Sequence, residues 1–234
     1  SVNSIFHQTE ILSSQVKSCI LFAGLGSKGK TIYYEKIRTR DHTEIMLNQL
    51  GADITIDNKI ELNPLEKPFK NFNMEIPGDP SSAAFFVAAA AAIPNSYLIV
   101  KNILANPTRI GFFNALEKMG GGIKWENIRK EYGELLGDLH IWYKPLKGIT
   151  IRSSEIPSII DEIPLLAFLG TQANGKTIVK GAEELRYKEC DRISAICKNF
   201  SKMGVKIIEE RDGFVIESPN ILRSANIETY GDHR

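Results

Sequence analysis

Three segments of the chain repeat the same order of elements, and this repeat constrains the fold more than any other feature. Each segment has an apolar run of helical length, a turn rich in Gly, Asn or Pro, a β-branched strand, an amphipathic helix, a glycine and another strand. The glycines that follow the amphipathic helices are Gly51, Gly120 and Gly204. The sequence therefore predicts an α/β (α+β) fold of βαβαββ units, with the apolar helices buried in their domains and surrounded by sheet.

Two stretches match the phosphate-binding pattern of nucleotide hydrolases, G-x-x-x-x-G-K-T: residues 24–31 (GLGSKGKT) and 170–177 (GTQANGKT). A phosphate-binding loop leaves a strand and opens a helix, whereas both stretches follow a helix-like run and precede a strand-like one. Both are therefore predicted to be helix-to-strand turns of the repeat. Lys30 is expected to be an exposed turn residue that holds no phosphate.

The composition argues against several classes of function. With 29 basic and 28 acidic residues, the chain has no overall field to attract nucleic acid or an anionic membrane surface. The longest apolar run, residues 83–93, is too short to span a bilayer. The three cysteines and four histidines lack the spacing of metal ligands, so we expect no metal. The cysteines also suggest no disulfide framework, which fits a cytoplasmic protein.

A change in composition marks the best candidate for a domain boundary. Residues 63–77 are polar and rich in proline and lysine, and a new unit begins directly afterwards at Gly78-Asp79-Pro80. The sequence therefore predicts two domains, residues 1–77 and residues 78–234.

Polar residues at helix starts are the candidate binding groups of the first domain, because a helix N-terminus offers free N–H groups and partial positive charge to an anion. Ser13–Gln15 precede the first apolar helix, and Arg40 lies in the stretch Arg38–Glu44 (RTRDHTE) before the first amphipathic helix. The alternative interpretation is a serine cap, a second cap by Asp41 or Thr43, and arginines exposed to solvent.

A dense run of charge, residues 186–192 (RYKECDR), occupies the equivalent position in the third segment. Lys188, Glu189 and Arg192 have a spacing that one helical turn can gather. The alternative interpretation is a solvated charge run.

Two further polar positions belong to the second domain. Asp161 precedes an apolar helix, and residues 232–234 (DHR) follow the third segment. Asp161 could be a helix cap, or a carboxylate that takes a proton from a substrate hydroxyl. Together, the basic groups, hydroxyls, amide and carboxylates of both domains predict a pocket for a multiply anionic substrate whose reaction requires proton transfer.

At these residues the sequence resembles the family of 5-enolpyruvylshikimate-3-phosphate (EPSP) synthases. The matching pieces are SSQVKS, RTRDHTE, GDPSSAAFFVAAAA, DEIPLLAFLGTQANGKT, YKECDR against the family's K-E-[ST]-D-R, and GDHR against its [ND]-D-H-R. They occur in the family's order over the whole chain. Cys190 departs from the family pattern, which usually has Ser or Thr there.

The resemblance covers roughly half of such an enzyme. The family's N-terminal Pro-Gly-Ser-Lys-Ser segment and the lysine beyond its D-H-R have no counterpart here. Residues 1–77 would be the last βαβαββ unit of one domain, on the shikimate 3-phosphate side. Residues 78–234 would be two units and the start of a third of the other domain. We expect residues 1–234 alone to be inactive.

What the resemblance implies is an EPSP synthase-type, inside-out α/β barrel of two domains, one only partly present here, and a monomer when full length. The family transfers the enolpyruvyl group of phosphoenolpyruvate to the 5-hydroxyl of shikimate 3-phosphate and releases phosphate, without metal or cofactor. Two alternatives stay open: the related enolpyruvyltransferase that acts on UDP-N-acetylglucosamine, and a non-catalytic domain of the same fold.

The resemblance also implies a role for individual residues. The groups that would hold shikimate 3-phosphate are Ser13, Ser14, Gln15, Arg40, Asp161 and Lys188. The groups that would hold phosphoenolpyruvate are Gln15, Glu189, Arg192 and Arg234. Asp161 would accept the proton of the hydroxyl, and Glu189 would handle the proton at the enolpyruvyl methylene.

Overall fold

A computed structural model describes residues 3–9 and 13–233. The chain separates into two compact units. The first consists of Ser1–Ile76 together with Arg129–Leu135, and the second of Pro77–Ile128 and Leu136–Arg234. Within the part of the chain that the structure describes, no helix has the length and apolar content needed to cross a membrane.

The first unit is a single βαβαββ motif. Its elements are β1 (Phe6–Thr9), α1 (Ser14–Leu25), β2 (Thr31–Glu35), α2 (His42–Gln49), β3 (Ile54–Ile56) and β4 (Ile60–Leu62). The strands form one sheet in the order β1-β2-β4-β3, in which β1 and β2 are parallel and the other neighbours antiparallel. Leu21, Tyr33, Leu47 and Leu62 are almost completely buried beside this sheet and form the core of the unit.

Two more copies of this motif follow along the chain, and all of their residues except Arg129–Leu135 belong to the second unit. The first copy consists of α3 (Pro80–Ala92), β5 (Tyr97–Leu104), α4 (Gly111–Lys118), β6 (Gly122–Glu131) and β7 (Glu134–Trp142). Its strands pair in the order β5-β7-β6, and a parallel bridge between Gly78 and Ile103 takes the position of the first strand.

The second copy begins with β8 (Thr150–Ile151), α5 (Ile156–Ile159), a 3-10 helix (Ile160–Glu162), α6 (Ile163–Gln172) and β9 (Gly175–Val179). It continues with a 3-10 helix (Glu183–Tyr187), α7 (Arg192–Lys202), β10 (Lys206–Glu210) and β11 (Gly213–Ser218). Its sheet, β8-β9-β11-β10, pairs β8 with β9 in parallel and the other neighbours antiparallel, as in the first unit. The predicted α/β fold of repeated βαβαββ units is confirmed.

The three repeated glycines end the amphipathic helices as predicted. Gly51, Gly120 and Gly204 follow α2, α4 and α7 with φ of +89°, +81° and +85°. A side chain is strained in this left-handed region, which is why glycine terminates these helices.

The two G-x-x-x-x-G-K-T stretches are helix-to-strand turns, as predicted, and their pattern has a packing cause. The first glycine of each lies against the last threonine: a Cβ on Gly24 would lie 2.6 Å from Thr31 Oγ1, and one on Gly170 would lie 3.1 Å from Thr177 Cβ. Lys30 is in the turn, with half of its side chain exposed and its Nζ 2.8 Å from Glu61 Oε2. The glycine and the threonine therefore let a helix pack closely against the strand that follows it.

Two of the apolar helices have one exposed side in the part of the chain that the structure describes. Phe22 of α1 is 57% exposed, and Phe85 and Phe86 of α3 are 48% and 69% exposed. The opposite side of α3 is buried, by Ala84, Val87 and other residues that pack into the main core. An apolar face becomes buried only where another element covers it, and the described residues cover one side of each of these helices.

Candidate active site

The start of α1 presents Ser13, Ser14 and Gln15. Ser13 caps the helix, since its Oγ accepts a hydrogen bond from the Val16 N–H at 3.4 Å. Ser14 is half-buried and Gln15 is exposed. The first turn contains no acidic residue, so the partial positive charge of the helix start is not neutralised locally. This end of the first unit can accept an anion or a polar ligand.

The loop before α2 carries Arg40, which is half-buried. Asp41 occupies the cap position of α2, but its side chain makes no capping hydrogen bond. The Thr43 hydroxyl lies 2.6 Å from Ser18 Oγ on α1. The structure therefore does not support the alternative interpretation in which Asp41 caps the helix through its side chain. The Thr43 hydroxyl instead connects α2 to α1.

A buried cluster of charge around Lys17 lies one half-turn after Gln15. The Lys17 side chain is completely buried, and its Nζ lies 2.9 Å from Glu35 Oε1 and 2.7 Å from Glu44 Oε1. Burial raises the pKa of Glu44, and the neighbouring Lys17 opposes that rise. The sequence prediction did not include this cluster, although a lysine inside an otherwise apolar helix was a usable signal.

In the second unit, Arg192 is the centre of the candidate site. It is the first residue of α7, and only 4% of its side chain is exposed. Its Nε lies 2.7 Å from Asp232 Oδ2, its Nη1 lies 3.5 Å from Asp161 Oδ1, and its Nη2 bonds Glu189. Three predicted positions, Asp161, Glu189 and Arg192, are therefore brought together, with Asp232 as a fourth member.

Among the described residues of the Arg192 cluster, one guanidinium faces three carboxylates. Burial disfavours the charged form of Arg192, but the hydrogen bond and the charge of Asp232 outweigh burial and raise its pKa. Burial also raises the pKa of the Cys190 thiol, and Asp232, 3.4 Å from its Sγ, raises it further. Both effects favour the neutral thiol of Cys190 over the thiolate.

Lys188 and Glu189 do not lie on a helical turn, which corrects the prediction that one turn gathers them with Arg192. Residue 188 is extended, and α7 begins only at Arg192 behind the Asp191 cap, whose side chain accepts from the Ser194 N–H at 3.0 Å. Lys188 pairs backwards with Glu184, while Glu189 pairs forwards with Arg192. Residues 188 and 189, which link the 3-10 helix to α7, are therefore held by one ion pair to each of these helices.

Asp161 belongs to a 3-10 helix, and the helix that it was expected to precede begins after it, at Ile163. Glu162 occupies the cap position of that helix. Asp161 therefore does not cap α6; instead its carboxylate turns to Arg192. His233 lies 3.7 Å from Glu189 through its Nδ1. Arg234, which the resemblance assigns to phosphoenolpyruvate, lies outside the described residues.

A cavity of about 290 Å³ opens beside the Arg192 cluster. Its apolar wall is formed mainly by residues of α6 and α7, among them Leu165, Ile196 and Phe200. Asp161, Arg192 and Asp232 line its polar part. The charged cluster therefore borders a space that can admit a small molecule and exclude much of the surrounding water.

Repeated βαβαββ units with basic and acidic side chains at helix starts define an α/β protein suited to multiply charged small molecules. The family model of EPSP synthase (3-phosphoshikimate 1-carboxyvinyltransferase) matches residues 2–234. The chain belongs to the EPSP synthase family.

Individual relatives agree with this assignment. The chain is 47% identical over 226 residues to the 3-phosphoshikimate 1-carboxyvinyltransferase of Persephonella marina, covering 95% of this chain and 52% of the relative. It is 44% identical to that of a Sulfurihydrogenibium species, covering 96% of this chain and 53% of the relative. The chain thus spans about half the length of these relatives.

Solved structures show the same fold. EPSP synthase from Acinetobacter baumannii superimposes with a TM-score of 0.87 at 35% identity, covering 99% of this chain and 53% of that one. The enolpyruvyl transferase NikO from Streptomyces tendae has a TM-score of 0.59 at 18% identity, covering 85% of this chain and 45% of that one, and shares the fold.

Proposed function

We propose that the protein transfers the enolpyruvyl group of phosphoenolpyruvate to the 5-hydroxyl of shikimate 3-phosphate and releases phosphate. Family membership over residues 2–234 supports the reaction class. The observation that carries the proposal is the half-open cluster in which Arg192 faces Asp161, Glu189 and Asp232 beside a cavity. It combines a cation for an anionic substrate with carboxylates for proton transfer.

Shikimate 3-phosphate is the substrate that the first unit would bind. The Ser13 and Ser14 hydroxyls, the exposed Gln15 amide and the free N–H groups of the helix start are donors that suit phosphate and hydroxyl oxygens. Arg40 adds a planar cation that suits a phosphate. In the second unit, Lys188 would add a further cation against this substrate once it leaves Glu184.

Phosphoenolpyruvate is the substrate that Arg192 would bind, with Arg234 and Gln15 as further ligands. Arg192 already has three carboxylate neighbours, and the proposal is that a substrate carboxylate replaces one of them. Glu189 is the exchangeable neighbour, because 47% of its side chain is exposed against 7% for Asp232. Replacement would free the Glu189 carboxyl for proton transfer.

The chemistry then needs two proton-transfer groups. The 5-oxygen of shikimate 3-phosphate bonds to C2 of phosphoenolpyruvate while its proton passes to Asp161. C3 gains a proton from Glu189, whose carboxylate takes up that proton from solvent when it leaves Arg192. The tetrahedral intermediate then loses phosphate, as C3 returns its proton to Glu189 and the double bond re-forms. Asp161 returns its proton to the departing phosphate or to water. Each transfer contributes about 10²–10⁴-fold to the rate.

Two alternatives and two further properties belong to this proposal. Transfer to UDP-N-acetylglucosamine has less support, because the matching family model and the curated relatives reported above are those of EPSP synthase. A non-catalytic role would leave the Arg192 cluster without a use.

We further propose that the protein is a monomer. We also propose a cytoplasmic location, which the three free cysteines support.

Phosphate release by the protein expressed from its complete gene tests the proposal. With both substrates supplied, we expect turnover, and Asp161→Asn should lower kcat by about 10²–10⁴-fold with little change in the affinity for shikimate 3-phosphate. Glu217→Gln, which changes an exposed carboxylate on β11, is the matched control and should keep wild-type kcat. Turnover with UDP-N-acetylglucosamine instead, no turnover at all, or wild-type kcat in Asp161→Asn would contradict the proposal.

A further inference from the structure

The Lys17 cluster is a buried group of charges that the proposed reaction does not use. Lys17 is completely buried, so it cannot touch a substrate, and the Glu44 side chain is completely buried as well. Lys17 Nζ also donates to the Thr39 carbonyl at 3.5 Å. Its ammonium therefore donates to Glu35 and to the Thr39 carbonyl, and forms an ion pair with Glu44.

Each of these three residues belongs to a different part of the chain. Glu35 is the last residue of β2, Thr39 lies in the loop that carries Arg40, and Glu44 lies in the first turn of α2. The Thr39 hydroxyl also donates to Glu35 Oε2 at 2.7 Å. Lys17 therefore fixes the first turns of α1 to the strand end, to the loop and to the next helix at once.

A second link beside it connects the same two helices. Ser18 Oγ donates to the Ser14 carbonyl at 2.9 Å and lies 2.6 Å from Thr43 Oγ1. Residues on both sides of this link are candidate ligands: Ser13–Gln15 lie on α1, and Arg40 lies in the loop before α2. The contacts of Lys17 and Ser18 thus join the two candidate segments of the first unit.

Stability alone does not explain a buried ion cluster at this place. Removing charges from water costs several kcal/mol for each ion, and well-packed apolar side chains often match or exceed the stability of a buried ion pair. The rest of α1 after Lys17 carries no charge, so an apolar residue would suit the pattern of the helix. What a hydrogen-bonded ion adds over an apolar contact is direction, because each acceptor must lie at a defined distance and angle.

We infer that Lys17 is a positioning residue, which sets the Ser13–Gln15 segment and the Arg40 loop at the spacing that shikimate 3-phosphate requires. This inference rests on the proposed function for the identity of the ligand. The coupling of the two segments is independent of that function, because it is a property of the protein without ligand.

The experiment uses a double variant that removes Lys17 together with Glu44, the carboxylate opposite it whose side chain is completely buried. In Lys17→Met/Glu44→Met, both members of the completely buried pair become apolar, while Glu35 keeps its bond from Thr39. The matched control is Lys30→Met/Glu61→Met, which removes an exposed ion pair of the same unit. Both variants are made in the protein expressed from its complete gene.

We expect Lys17→Met/Glu44→Met to unfold at a urea concentration close to that of the wild type, and its KM for shikimate 3-phosphate to rise about 10- to 100-fold. Without substrate, amide hydrogen exchange should accelerate together at residues 13–17 and 38–44. The control variant should show neither effect.

Each outcome has a distinct meaning. Wild-type KM and unchanged exchange in Lys17→Met/Glu44→Met would overturn the inference. A rise in KM that only parallels lost stability, with exchange faster throughout the unit, would show a purely structural role and overturn it as well. If the wild-type protein does not use shikimate 3-phosphate, the proposed function fails, while the exchange rates still decide whether Lys17 couples the two segments.

Discussion

Each unit of the protein gathers carboxylates around one buried cation, but the two clusters differ in how far they are open to solvent. Around Lys17, the side chains of Glu35 and Glu44 are 9% and 0% exposed. Around Arg192, exposure rises from 7% for Asp232 to 47% for Glu189. The Lys17 cluster is buried from solvent. In the Arg192 cluster, one carboxylate, that of Glu189, can move into solvent.

This difference separates two uses of the same chemistry. A closed cluster cannot exchange a partner for a ligand, so its directional bonds can only hold segments of the chain in place. A partly open cluster can release one carboxylate and accept another from a substrate. The two charged clusters therefore differ in their proposed roles: the Lys17 cluster positions neighbouring segments, and the Arg192 cluster binds a substrate.

The largest expected effect comes from breaking the closed cluster by a single substitution. Lys17→Met leaves Glu35 and Glu44 buried without their cation and should lower the free energy of unfolding by about 3–5 kcal/mol. Arg192→Met should cost clearly less, because the exposed Glu189 can be hydrated. Urea unfolding of both variants at pH 7 measures the comparison. Equal losses would show that the two clusters do not differ in the way proposed.

A smaller difference in the free energy of unfolding is expected between variants of the two helix-to-strand turns. Gly24→Ala places a Cβ 2.6 Å from Thr31 Oγ1 and should lower the free energy of unfolding by about 2 kcal/mol, since overpacking a buried contact costs about 1–3 kcal/mol. Gly170→Ala meets Thr177 at 3.1 Å and should cost about 1 kcal/mol or less. Thermal unfolding of the two variants is the measurement. A larger loss for Gly170→Ala would contradict this ranking.

The sequence was sufficient to predict the repeated βαβαββ motif and both turns, because helix and strand periodicity and terminal glycines are local signals. The positive φ at Gly51, Gly120 and Gly204 illustrates this, because the local backbone conformation is sufficient to require glycine. The exposure of Phe85 and Phe86 was not predictable in this way, because burial depends on which distant elements cover a face.

The site was predictable only in part, for a similar reason. Asp161, Glu189 and Arg192 were selected from motifs, and the structure brings them together. The pairing of Lys17 with Glu44 joins residues far apart in the chain and inside the protein, where no local pattern reports it. The partner of Lys188 was missed for a different reason: Glu184 is close in the chain, but the backbone at 188 is extended rather than part of the predicted helical turn.

The most direct test of the proposed exchange at Arg192 compares two carboxylate variants by steady-state kinetics with saturating shikimate 3-phosphate. If Glu189 yields its place to phosphoenolpyruvate, Glu189→Gln should lower kcat by about 10²-fold or more while the KM for phosphoenolpyruvate stays the same or falls. Asp232→Asn, which loosens the fixed partner of Arg192, should raise that KM. A Glu189→Gln enzyme with wild-type kcat, or with a KM for phosphoenolpyruvate raised as in Asp232→Asn, would contradict the account.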